Sequence, residues 1–182
     1  MRALPADADR SALRGAEPGR GLRDQHHRVQ LPAPAGREAG RDAAAEYEKR
    51  LSRFGKFETI ELPDLPEPAN SSPAIEAQIC QKEGQAILGK LRDGDIVIAL
   101  CIDGKRLDSV QLAEQMQKYG DTGRRVVFII GGSLGLSPEV VARAQLKLSF
   151  SPMTFPHQLA RVMLLEQAYR ACKINAGERY HK

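Results

Sequence analysis

The sequence is poor in the features that would place it in several large classes of protein. It has no tryptophan and few aromatic residues of any kind. Its longest apolar run, Ile96 to Ile102, is far short of the roughly 20 residues needed to cross a bilayer. That predicts no membrane span. The N-terminus lacks the apolar stretch of a secretory leader, so none is expected. Three cysteines, Cys80, Cys101 and Cys172, are an odd number at wide spacing. They fit neither a disulfide framework nor a zinc site, and a reducing cytoplasm is the expected location. The net charge is only +4, which permits an anionic partner such as RNA without requiring one.

The first 44 residues lack even more. They contain no Ile, Phe, Tyr, Thr, Asn or Cys and a single Val, against eight Arg and six acids. Such a stretch cannot bury enough apolar surface to offset its ordering entropy, so disorder is expected over 1–40. Arg20, Arg23, His26, His27 and Arg28 could form a basic RNA-binding arm. A dispensable tail and a stretch translated in the wrong frame are the other readings, and composition leaves all three open.

From Arg41 the pattern changes, and residues 41–182 read as one domain. Asp42 to Phe54 is rich in helix formers and stops before Gly55. Phe57 to Leu62 alternates and predicts a strand, followed by a Pro-rich loop over 63–73. Ser72-Pro73 opens a helix running to Asp93-Gly94. Asp95 to Ile102 predicts a strand buried on both faces, with Asp103-Gly104-Lys105 as a turn. A helix capped by Asp108 or Ser109 follows, up to Gly120. Arg125 to Ile130 predicts a second buried strand, Ser137-Pro138 a short helix, and Leu146 to Phe150 a third strand. Pro156 to Ala176 predicts a long helix, apolar around nearly its whole circumference. Strands alternating with helices give an α/β fold with a mostly parallel sheet.

Two loops could carry chemistry. Gly131 to Ser137 leaves the carboxyl end of a buried strand, where ligands bind in open α/β sheets. Its Gly-Gly-x-x-Gly spacing matches neither the dinucleotide fingerprint nor the phosphate loop. Ser151-Pro-Met-Thr-Phe-Pro-His157 is stiffened by two prolines and could hold a planar ring and a sulfonium by carbonyls and apolar walls. A plain strand-to-helix turn is the alternative. The all-round apolar helix 156–176 predicts burial on most sides, which a subunit interface would supply. Glu166 and Arg170 stand at i and i+4 and can pair. The polar end, Arg179-Tyr-His-Lys182, carries groups suited to RNA.

Several stretches together resemble the RlmH family of bacterial ribosomal RNA methyltransferases, within the SPOUT superfamily. They are Tyr47 to Phe54, Lys82-Glu-Gly84, Leu100-Cys-Ile-Asp-Gly-Lys105, Ile129 to Ser137, Met153-Thr-Phe-Pro-His157, Arg161 to Arg170 and Tyr180-His-Lys182. The resemblance implies a SPOUT-type α/β fold with a C-terminal trefoil knot and a homodimer. It implies methyl transfer from S-adenosylmethionine, without metal, to N3 of a pseudouridine in 23S rRNA on assembled ribosomes. By motif position Leu100, Gly131, Ser151, Pro152, Met153, Thr154, Phe155 and Pro156 look like the donor site. His181 is the expected base, with Tyr180, His157 and Arg161 in support. Members of the family begin with a strand and a Val-Gly-Lys-like turn just ahead of the helix at Arg41. Here the nearest stretch is Val29-Gln-Leu31, so the first strand is expected to be missing. A non-catalytic or folding-impaired RNA-binding copy, and a SPOUT methyltransferase acting on tRNA, remain as alternative readings.

Overall fold

The computed structural model describes residues 36–63 and 65–180, and of 36–39 the backbone alone. Residues 1–35 of the stretch expected to be disordered, the basic arm, Val29-Gln-Leu31, His181 and Lys182 lie outside the described residues, whereas 36–40, also expected to be disordered, are helical. Helix α1 (Gly36–Leu51) begins ahead of Arg41 and passes into a 3-10 turn over Ser52–Phe54. The next helix is α2 (Pro73–Leu88). Ser72 caps that helix, accepting from the Ile75 amide, and Pro73 occupies its first turn where no amide partner is needed. Strand β1 (Ile96–Arg106) follows, then α3 (Ser109–Gly120), whose Asp108 and Gln111 form a reciprocal capping box. Strand β2 (Val126–Ile129), α4 (Pro138–Arg143), β3 (Leu146–Ser149) and α5 (His157–Asn175) complete the order.

The described sheet has three strands in the order β2-β1-β3, all parallel. Central β1 is buried over Ile96–Ala99 because helices cover both of its faces. Val97, Ile129 and Val140 meet Ile87, Leu88 and Leu91 of the α2 side. On the opposite face Ile98, Leu112 and Leu148 pack with Met116, Tyr119, Val126 and Phe128. A third cluster joins α1 to α5 through Ala44, Tyr47, Leu51, Val162, Leu165, Ala168 and Tyr169.

Three expectations are revised. Phe57 to Leu62 forms no strand among the described residues, since alternation specifies a pleated face and not a partner. Asp103-Gly104-Lys105 is no turn. The strand continues through it, with a register shift against β3 between Leu100 and Lys105, so that Leu148 faces both. Gly104 is required there, because a Cβ would lie 2.7 Å from the Leu148 carbonyl carbon. The apolar circumference of α5 is covered by α1 and α3 of the same chain, leaving Leu165 5% exposed. Its composition therefore does not by itself call for a second subunit.

Candidate functional site

Parallel pairing brings the chain past Leu100, β2 and β3 to one edge of the sheet. Ala99 pairs with Ile129 and Leu100 with Leu148, so Leu100 sits between the loop that starts at Ile130 and the loop that starts at Phe150. Leu100 and Gly131 are half-buried at this edge.

The first loop is a tight, self-packed turn. The Gly135 amide donates to the Gly132 carbonyl at 3.1 Å, and Gly135 has a φ of +80°, a conformation that favours glycine. A Cβ on Gly131 would stand 2.6 Å from the Gly135 carbonyl carbon and oxygen. The need for glycine at 131 thus comes first from the loop's own backbone. Ser137 ends the loop, capping α4 through the Val140 amide while buried against Gly84 of α2. Lys82-Glu-Gly84 acquires its meaning here, since only a glycine lets α2 approach Ser137 so closely.

The second loop is latched by hydroxyls. Ser149 Oγ contacts the Ile102 carbonyl at 2.9 Å and the Ser151 carbonyl at 3.1 Å, while Ser151 Oγ accepts from the Met153 amide at 2.9 Å. Pro152, Thr154 and Pro156 are exposed, Phe155 is half-buried, and Met153 is 65% exposed. Neither loop, over 130–137 or 150–156, carries a charged side chain. Such an edge suits a ring and a cationic centre held by carbonyls and apolar walls. It is unlike a phosphate site that gathers lysine or arginine. Among the described residues no group of three His, Cys, Asp or Glu could hold a metal ion.

The other expected residues are dispersed. His157 is exposed at the first position of α5. Arg161 is committed to two carboxylates, Glu48 at 3.2 Å and Glu61, and so ties α5 to α1 and to the stretch between α1 and α2. Tyr180 is packed against Tyr169 edge-to-face at 5.0 Å, with the Arg170 guanidinium 4.7 Å from its ring centre and Glu166 Oε1 3.4 Å from its hydroxyl. Burial, together with Tyr47 and Glu166 beside it, pushes the Tyr180 phenol far up. A hydroxyl so held favours its protonated form. Sequence reasoning gave Glu166 and Arg170 only as an i, i+4 pair. They do pair, but half-buried, and they form the cage in which Tyr180 sits.

Comparison with known proteins gives this edge its context. A family model described as "Predicted SPOUT methyltransferase" matches residues 33–181. The chain belongs to the SPOUT methyltransferase family. Proteins named Ribosomal RNA large subunit methyltransferase H are similar to it over 143 residues, 78% of this chain and 90% of each relative. Identity is 57% for that of Bifidobacterium animalis subsp. lactis, 54% for Bifidobacterium adolescentis and 53% for Clostridium beijerinckii. The family resemblance read from the motifs is thereby established for this SPOUT methyltransferase. No helix among its described residues is long and apolar enough to cross a membrane.

Proposed function

We propose that the chain is an S-adenosylmethionine-dependent methyltransferase acting on N3 of a pseudouridine in 23S rRNA of assembled ribosomes, in the cytoplasm and as a homodimer with a trefoil-knotted C-terminal half. The observation that carries this reading is the convergence of uncharged loops beyond Leu100, β2 and β3 at one sheet edge, in a chain of this family. When bound, S-adenosylmethionine supplies a methyl group made electrophilic by its sulfonium.

The chain's own residues fit that group. Leu100, Gly131 and Met153 to Pro156 offer apolar walls and backbone groups where a ring could lie. The Ser149 and Ser151 latches fix the second loop before a ligand arrives, which lowers the entropy of reaching near-attack geometry. No metal is required of these residues. The N3 imide must lose its proton as the carbon–nitrogen bond forms and the carbon–sulfur bond breaks. His181 has the residue type to accept it. Tyr180 acts on this reading as an anchor, fixing the point from which His181 and Lys182 continue. His157 stands free at the start of α5, whereas Arg161 holds the local architecture through Glu48 and Glu61.

Single-turnover methylation of ribosomes lacking the modification tests the proposal, with tritiated donor and mapping of the modified base. Label at N3 of one pseudouridine is the expected result. Donor binding without transfer to any RNA would overturn it in favour of a non-catalytic copy, and transfer to tRNA alone in favour of another SPOUT specificity.

A further inference from the structure

The two loops at the carboxyl edge carry no charge of their own, but one carboxylate is brought to them from elsewhere. Among the described residues, Glu67 is the charged side chain that hydrogen-bonds to either loop, its Oε2 accepting from Ser133 Oγ at 3.4 Å. It comes from the stretch between α1 and α2, 66 residues earlier. That stretch is seated on α2. Leu65, Pro66 and Pro68 line a groove with Ile75 and Ile79 of the helix. The Leu65 amide donates to Glu83 Oε1 at 3.1 Å, and Ser71 Oγ lies 2.9 Å from Glu76 Oε1 and 3.3 Å from Glu67 Oε1. The prolines on either side of Glu67 fix their own φ and stiffen the chain there. The same helix is wedged on Ser137, at the end of the first loop, through Gly84. Glu67 and that loop are therefore held by one support. Both hydroxyls that Glu67 meets are neutral, and it forms no ion pair among the described residues, so its charge is left uncompensated.

We propose that Glu67 selects the charged donor over the spent one: its carboxylate favours S-adenosylmethionine, whose sulfur is cationic, over S-adenosylhomocysteine, whose sulfur is neutral. The proposal rests on the reading of this edge as the donor site. The two molecules differ by one methyl and one positive charge and share every other group. Apolar walls and backbone groups see the methyl alone, whereas a fixed carboxylate sees the charge. Attraction between unit charges several ångströms apart, with water partly excluded, amounts to about threefold to tenfold in affinity. When the carbon–sulfur bond breaks, its electron pair stays on sulfur. The charge there vanishes and the attraction with it, so the product is held less firmly than the donor that replaces it. Because the carboxylate favours the charged ground state, its contribution belongs to donor binding and exchange and not to the speed of transfer.

The test is calorimetry of the full chain at low salt with S-adenosylmethionine and, separately, S-adenosylhomocysteine, for wild type, Glu67→Gln and Glu67→Lys. Glutamine keeps an oxygen for the Ser133 hydroxyl and loses only the charge. Affinity for S-adenosylmethionine should fall about threefold to tenfold in Glu67→Gln and further in Glu67→Lys. Affinity for S-adenosylhomocysteine should change by less than about twofold, so that the preference for the charged donor declines with each step in charge. Added salt should shrink the wild-type preference, as screening requires. Glu139→Gln, on α4 and without a bond to either loop among the described residues, should leave the preference intact. With donor bound by the wild type, an unchanged preference in both Glu67 variants would overturn the proposal and leave the donor site standing. So would an equal loss of both ligands, or an equal fall in preference in Glu139→Gln. A wild type that binds neither ligand would overturn the donor reading itself, and the proposal with it.

Discussion

The two ends of the same small sheet are built in opposite ways. At the amino end, charge closes the structure. Asp95, 2% exposed, accepts from Arg125 Nε at 2.9 Å and from the Arg92 amide at 2.7 Å. Arg143 donates to the carbonyls of Arg92, Asp93 and Asp95, and Arg124 to that of Gly94. At the carboxyl end there are no charged side chains in the two loops, two serine latches, and apolar groups such as Ile102 and Met153 facing outward at 58% and 65% exposure. Where every polar group is satisfied internally, nothing remains for a ligand. On the proposed reading, the end with uncharged loops is the end that binds the donor.

That contrast can be broken from either side. Gly131→Val should have the largest effect. Its side chain collides with the Gly135 backbone, so the loop must rebuild and donor affinity should vanish by calorimetry, with a loss of stability of about 1–3 kcal/mol. At the other end Asp95→Ala should cost about 2–3 kcal/mol in urea unfolding, since charge-assisted bonds to a buried group are lost, while donor affinity in the folded protein stays unchanged.

The same group sets a pH dependence. Hydrogen bonds from Arg125, helped by the Arg92 amide and against the cost of burial, hold the Asp95 carboxyl down at about 2. Its contribution is therefore complete above the ordinary carboxylate value of about 4 and is lost as pH falls toward 2. It amounts to about 2 kcal/mol. Asp95→Asn should flatten that part of the stability curve between pH 2 and 5. Removing only His181 and Lys182 should abolish methylation with donor affinity and Tm unchanged. A cut that also takes Tyr180 should lower Tm, because its ring packs on Tyr169. Met153→Ala is the smallest change. An exposed side chain should cost under about 0.5 kcal/mol of stability, yet weaken donor binding several-fold if it walls the site.

Caps and buried strands were legible in the sequence because their signals are local. Ser72-Pro73, Asp108 (one of the two caps read there, with Ser109) and Ser137-Pro138 each start a helix where residue type says one can begin. The loops after β2 and β3 were also legible as a pair, since a parallel sheet must bring them to one edge. What escaped was decided by neighbours distant in sequence. Gly104 looks like a turn residue until the β3 backbone is placed against it. Tyr180 looks like a tail residue until Tyr169 and Arg170 enclose it. The apolar girth of α5 is the same whether a second subunit or α1 covers it, and only the fold says which.

The contact between Gly84 and Ser137 has a kinetic consequence. One end of the 131–136 loop is fixed in β2, and the other is wedged against α2 by a serine that has no room to retreat. A segment clamped at both ends, with its turn closed by its own hydrogen bond, has little freedom to mould itself around what arrives. On the proposed reading, selection at this edge works by refusal: a molecule of the wrong outline is turned away at encounter, and one of the right outline settles without waiting for the protein to reorganise.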